Sequence, residues 1–255
     1  MLYGNESISH YSRSNITIWM LMAFQAGVLN MGGFLACHRF VSHVTGFATF
    51  FGYEFSQKDR SHAWGMLIVP LFFLFGAMVS AYLVDIRLKL RKKPKYYIAY
   101  AVMLVLILIA TLGGWMGWFG PFGASLEQSQ NGYLLLILLC FTCGVQNGTI
   151  TSVSKSVVRT THLTGITTDL GIGLVRLLNK RILPAEHKEL LDSEHKATFM
   201  RLGIIAMFVM GSVFAGFLYP LVGFGGFLVP AFTTGILLVS MIYFQIIKPR
   251  HIAAS

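Results

Sequence analysis

Two stretches of the sequence carry the same short set of residues able to hold protons and donate hydrogen bonds. Ser42-His43-Val44-Thr45-Gly46 is echoed 119 residues on by Thr161-His162-Leu163-Thr164-Gly165. A histidine titrates near neutral pH, so it can carry a proton or donate a hydrogen bond to a solute. The threonine adds a hydroxyl, and the glycine lets a ligand approach the backbone. Upstream, Gly27-Val28-Leu29-Asn30 is echoed 117 residues on by Gly144-Val145-Gln146-Asn147. Two echoes in the same order at nearly the same offset point to an internal duplication. Together with nearby charges they give a candidate binding set: Asn30, Arg39, His43, Thr45, Gly46, Gln146, Asn147, Arg159, His162, Thr164, Gly165 and Asp169.

If a half-helix begins at each His-x-Thr-Gly, its free N–H groups favour negative charge, and Arg39 and Arg159 add to that field. The chemistry expected is recognition of a small anionic or zwitterionic solute, with His43 and His162 close together and Thr45 and Thr164 lining one polar cavity. Plainer roles compete. The threonines suit helix caps, the arginines suit headgroup anchoring, and Asp169 can pair with Arg159 or Arg176. No nucleophile-and-base set, metalloprotease helix or phosphate-cradling loop is present. We therefore expect no enzyme, no catalytic residue, no cofactor and no metal. Cys140-Phe-Thr-Cys143 has no second pair to complete a zinc set and lies in an apolar run, where two thiols serve packing.

The elements that must position these residues are membrane-spanning. Of 255 residues 55% are hydrophobic and only 12% charged, about half the charge of a soluble domain. Six apolar segments are long enough to cross a bilayer: Ile16–Cys37, Ala63–Ile86, Tyr97–Phe119, Tyr133–Val153, Thr198–Tyr219 and Phe227–Ile247. Two shorter ones, His43–Phe55 and Thr161–Leu178, hold the echoed motifs. Trp and Tyr at several segment ends have the look of interfacial belts. The net charge of +10 sits in short loops between spans, which argues against nucleic-acid binding. The polar stretch Asn179–Ala197 reads as a short amphipathic helix.

Loop charge sets the orientation. Arg87, Lys89, Arg91, Lys92, Lys93 and Lys95 fall between the second and third spans, and Lys248 and Arg250 follow the last. Both regions should be cytoplasmic, and with them both termini. Thr161–Leu178 then starts and ends on one side, so it is re-entrant or interfacial. Three spans and one short element per half is an odd crossing number, so residues 1–125 and 126–255 would be inverted repeats of one integral membrane domain. The competing picture keeps the short elements as surface helices and the repeat as a relic.

The paired His-x-Thr-Gly elements, each after a helix carrying Gly-x-x-Asn, resemble the YoaK-like (DUF1275) family of small multi-span membrane proteins over roughly Ile16 to Ile247. The family usually has Asn where this chain has Phe47, and Tyr is common where it has His162. The resemblance implies an all-α polytopic fold in the bacterial inner membrane and says little about function. A second likeness is to the Gly-x-x-x-Asp-Arg loop of major-facilitator transporters, in Ala81-Tyr82-Leu83-Val84-Asp85-Ile86-Arg87. There the leading Gly is missing, and a basic cytoplasmic loop with a helix-end carboxylate is the simpler reading.

The expectation is thus a transporter whose partners are the lipid bilayer and a small solute, with proton coupling and homo-oligomerisation left open. Its rivals are a non-transporting module that binds a partner or lipid and, behind it, an intramembrane enzyme. Single cysteines placed within Arg87–Lys95 or after Lys248 should react with an impermeant thiol reagent only after the cells are opened. Labelling of intact cells would reverse the topology.

Overall fold

A computed structural model of the chain describes residues 13–57, 63–124, 131–153, 162–180, 182 and 188–247. Every regular element among them is helical: α1 Arg13–Cys37, α2 Val44–Ser56, α3 Ala63–Leu83, α4 Asp85–Lys89, α5 Tyr96–Trp115, α6 Gly132–Val153, α7 Leu163–Leu178, α8 Lys188–Val222 and α9 Leu228–Ile242. A 3₁₀ turn, Gly223–Phe227, joins α8 to α9, and a single π turn, Tyr243–Ile247, ends α9.

Five stretches are long and apolar enough to cross a membrane. Four match the first four expected spans. The fifth, Ser193–Ile247, is 55 residues long and merges the last two, because the 3₁₀ turn replaces a loop. The chain nevertheless reverses there. Met200 and Ile204 near the start of α8 share a buried cluster with Leu237 and Met241 near the end of α9, while Tyr219 and Phe224 sit in another. Residues from Lys188 onward continue directly into α8. The described part of the expected amphipathic helix, from Lys188 on, is therefore the start of α8 and not a separate element.

The two clusters mark two ends of the bundle. One gathers Trp19, Val84, Tyr96, Ile150, Ile166, Met200 and Met241; the other gathers Cys37, Val41, Phe47, Met66, Phe119, Leu135 and Phe224. The loop from Arg87 to Lys95 lies at the first, which we call the basic end. The start of α1 and the end of α9 lie there too, and Gln245 Nε2 donates to Pro94 O at 3.0 Å. α1 and α6 are the innermost long helices: 61% and 67% of their apolar windows are buried, against 22% for α3.

Close approach fixes the helix pairs. α1 runs parallel to α8, and α3 parallel to α6. A Cβ on Gly27 would land on the carbonyl oxygen of Phe208, and one on Gly211 would land on that of Phe24. In the second pair a Cβ on Gly76 would strike Phe141 O, and one on Gly144 would strike Phe73 O. The four contacts come from four copies of one pattern, Phe24-x-x-Gly27, Phe73-x-x-Gly76, Phe141-x-x-Gly144 and Phe208-x-x-Gly211. Phe and Gly three apart share a helix face, so two such faces present each glycine to the other helix's carbonyl. Backbone cannot yield as a side-chain tip can. Gly76→Leu or Gly144→Leu should therefore lower stability in detergent by about 3 kcal/mol or more. Gly52→Ala and Gly171→Ala, where a Cβ meets nothing within 4 Å, should leave unfolding almost unchanged. Equal losses at all four positions would remove the crossings as the cause.

Candidate functional site

The two His-x-Thr-Gly motifs start the two short helices, and they do so alike. His43 and His162 are the N-cap residues of α2 and α7, at φ/ψ of −105°/74° and −90°/60°, and neither side chain caps its helix. The first bonds differ in register: Gly46 N donates three residues back to His43 O at 3.0 Å, and Ile166 N four residues back to His162 O at 3.1 Å. Thr49 Oγ1 donates to Thr45 O at 3.1 Å, and Thr168 Oγ1 to Thr164 O at 3.0 Å. One turn in, Phe47 and Ile166 are each buried against the bundle. The echo therefore extends to His-x-Thr-Gly-x-x-Thr-x-x-Gly in both copies, ending at Gly52 and Gly171.

The motifs do not meet. Val41 and Phe47 belong to the cluster opposite the basic end, Ile166 to the cluster at it. A shared cavity lined by His43, His162, Thr45 and Thr164 is therefore not formed. α1 and α6 run antiparallel, as Cys37 beside Gly132 and Met22 beside Gln146 require. Short elements that stay near the end of their own long helix are then carried to opposite ends.

In the first half the chain doubles back. α1 stops at Cys37, and His38 takes a left-handed φ of 51°. The segment then folds back until Ser42 N and Oγ both donate to Asn30 Oδ1, at 3.3 and 3.0 Å. Seven residues of helix separate Asn30 from Cys37, so α2 begins about 10 Å inside the end of α1. Gly46 makes room for the His43 ring: a Cβ there would lie 2.8 Å from His43 Nδ1. Arg39 is spoken for. Its Nη2 meets Glu54 Oε1 at 2.8 Å, Nη1 donates to His38 O at 3.0 Å, and the guanidinium lies 4.3 Å from the Phe50 ring centroid. Glu54, absent from the candidate set, thus cancels one of the two charges that pointed to an anion.

In the second half, α7 lies against the start of α8, where Glu194 bridges Arg176 at 2.9 Å and Arg201 at 2.6 Å. Arg176 is thus paired with Glu194 and not with Asp169, which is exposed, as are His162 and Thr164; Gly165 is half-buried. Arg159 lies outside the described residues. Among the described residues no group of three His, Cys, Asp or Glu could hold a metal.

The centre holds something else. Gln25 of α1, Gln146 of α6 and Thr233 of α9 form one buried network. Gln25 Nε2 donates to Gln146 Oε1 at 3.2 Å, Gln146 Nε2 to Met22 O at 2.9 Å, and Thr233 Oγ1 to Gln25 Oε1. Both glutamines are fully buried, and so is Thr234 beside them, whose hydroxyl has no hydrogen-bond partner among the described residues. Asn147 is buried one residue on, and Ser80 meets Thr149 at 2.8 Å between α3 and α6. Gln25 and Thr233 were missing from the candidate set, although an amide inside an apolar run is the usual mark of an intramembrane site.

Breaking the first-half ion pair should discriminate structure from binding. Arg39→Met leaves the buried Glu54 carboxylate unpaired and should cost about 3 kcal/mol. Adding Glu54→Gln should recover most of it in detergent unfolding. If the double variant is no more stable than the single, the two charges are not coupled.

No curated protein and no solved structure matches the chain. A family model does, the one described as "Protein of unknown function (DUF1275)", over residues 18–240. That stretch takes in both Phe-x-x-Gly crossings, both short helices and the central amides, so the chain belongs to the DUF1275 family.

Proposed function

We propose that this protein is a membrane transporter for a small polar solute, built as two inverted repeats with its site where they meet. The observation that carries the proposal is the exchange of first helices. α1 corresponds to α6, α2 to α7, α3 to α8 and α5 to α9. Yet α1 crosses α8 through the Phe-x-x-Gly contact, and α6 crosses α3. Each half thus lends its first helix to the other. Two bodies result, α2, α3 and α6 in one and α1, α7 and α8 in the other, with α5 and α9 packed on each other between them. They meet at the Gln25–Gln146 amides, at Ser42 on Asn30, and along α5 and α9. Six crossings, with the basic end in the cytoplasm, follow from this reading.

Inverted repeats lend themselves to rocking of one bundle against another around a fixed midplane site. The groups a solute would meet there are amides and hydroxyls. They suit a neutral or zwitterionic molecule better than a bare anion, since Arg39 is neutralised by Glu54. No catalytic or metal-binding role is assigned to any residue. A static module that binds a partner or lipid is the second reading, and the full burial of Gln25 and Gln146 favours it.

Spin-label distances separate the two. Pairs across the bodies, Tyr82 with Phe199 near the basic end and Trp64 with Phe217 near the other, should each give two distance populations that change in opposite senses. The pair Trp64 with Leu134, within one body, should give one. Gln25→Ala should shift the populations across the bodies and abolish uptake, in liposomes, of whichever solutes raise the melting temperature. Single narrow distances in every pair, with no solute-dependent melting shift, would leave the static module standing.

A further inference from the structure

The segment between α3 and α5 carries the strongest charge in the chain, and its build suits more than orientation. Six cations, Arg87, Lys89, Arg91, Lys92, Lys93 and Lys95, face a single carboxylate, Asp85, which Lys89 meets at 2.9 Å. The segment is ordered by its own backbone. Lys92 N donates to Arg87 O at 2.8 Å, Lys95 N donates to Leu83 O at 3.0 Å, and Arg87 Nε donates to Lys93 O at 2.7 Å. Gln245 from the end of α9 holds Pro94, and Val84 is fully buried beneath.

On this platform apolar and basic side chains alternate. Ile86, Leu88 and Leu90 are 44%, 37% and 59% exposed, interleaved with Arg87, Lys89 and Arg91. Tyr82, one turn before α4, is exposed as well. Soluble anions such as phosphate or nucleic acid would satisfy the cations and leave the aliphatic residues in water. A lipid surface satisfies both: acyl chains take the aliphatic residues, and headgroup phosphates take the ammonium and guanidinium groups. The counterpart connection between α8 and α9, Gly223-Phe224-Gly225-Gly226-Phe227, has no charge and lies at the other end.

We infer that residues 85–95 form a binding platform for anionic phospholipid in the leaflet at the basic end. Each basic side chain near an anionic surface adds attraction that is lost with salt. The inference does not depend on transport; it requires only that this end meets a bilayer.

The test uses the full chain in nanodiscs of phosphatidylcholine, alone or mixed with phosphatidylglycerol, beside the variant Arg91→Gln/Lys92→Gln/Lys93→Gln. These three side chains are exposed, so the variant should melt like the parent in pure phosphatidylcholine. In mixed discs the parent should melt higher, and after mild extraction native mass spectrometry should find phosphatidylglycerol retained. The variant should retain roughly tenfold less, and high salt should erase the difference. Equal retention by parent and variant would overturn the platform. So would an equal melting shift from inorganic phosphate in phosphatidylcholine discs, which would make it a general anion site.

Discussion

Four glycines are placed so that any side chain would occupy the carbonyl oxygen of a neighbouring helix, and most of the architecture follows from that approach. Helices in lipid gain little from hiding apolar surface from one another, since the lipid tails are as apolar as leucine. Association must come from packing and from polar contacts between backbones. A glycine set on a carbonyl provides both, because it shortens the distance between helix axes and brings Cα–H groups to an oxygen acceptor. Here the contact is reciprocal and occurs twice, at Gly27 with Gly211 and at Gly76 with Gly144. It decides which helices are neighbours before any loop does.

Once those pairs are fixed, α1 and α6 have nowhere to go but the middle. Each is gripped along one side by its parallel partner, and the remaining sides face each other, α5 and α9. A polar group there has no water to fall back on, so it must find a partner within the bundle. Gln25, Gln146 and Thr233 do so with one another. The amide pair couples two helices that otherwise touch lightly. An apolar pair there would need no such partners, whereas the amides tie the helices by directed hydrogen bonds.

The helical elements were legible in the sequence, and their relations were less so. The short segments expected at His43–Phe55 and Thr161–Leu178 are α2, Val44–Ser56, and α7, Leu163–Leu178, because a His-x-Thr-Gly break before a half-apolar run is a local signal. The break expected between the spans ending at Tyr219 and starting at Phe227 falls at the 3₁₀ turn Gly223–Phe227. Partnership across the fold left no local trace. Glu54 answers Arg39 from fifteen residues away, Gln25 reaches Gln146 over 121 residues, and Thr233 reaches Gln25 over 208. The Phe-x-x-Gly pattern is visible four times once known, but phenylalanine and glycine are so common in apolar helices that spacing alone does not single it out. The expectation that His43 and His162 lie together had a geometrical flaw. An axis in the plane of the bilayer exchanges the two ends, so it brings together only what lies at mid-depth.

The two short helices are alike in backbone and unlike in the charges around them. α2 and α7 share N-cap angles, threonine back-bonds and one buried apolar residue in the first turn. The ties around them differ. Near α2 a single guanidinium is cancelled by one carboxylate. Near α7 a carboxylate is shared by two guanidinium groups, at the same end of the bundle as the cationic segment after α3. With Arg39–Glu54 internal to one short segment and Glu194 stapling α7 to α8, the half-helices differ in how firmly they are tied. α2 is anchored to α1 through Ser42 and Asn30, whereas α7 is tied to α8 through Arg176 and Glu194. The two short helices share a backbone, and the charges around them distinguish the two ends of the bundle.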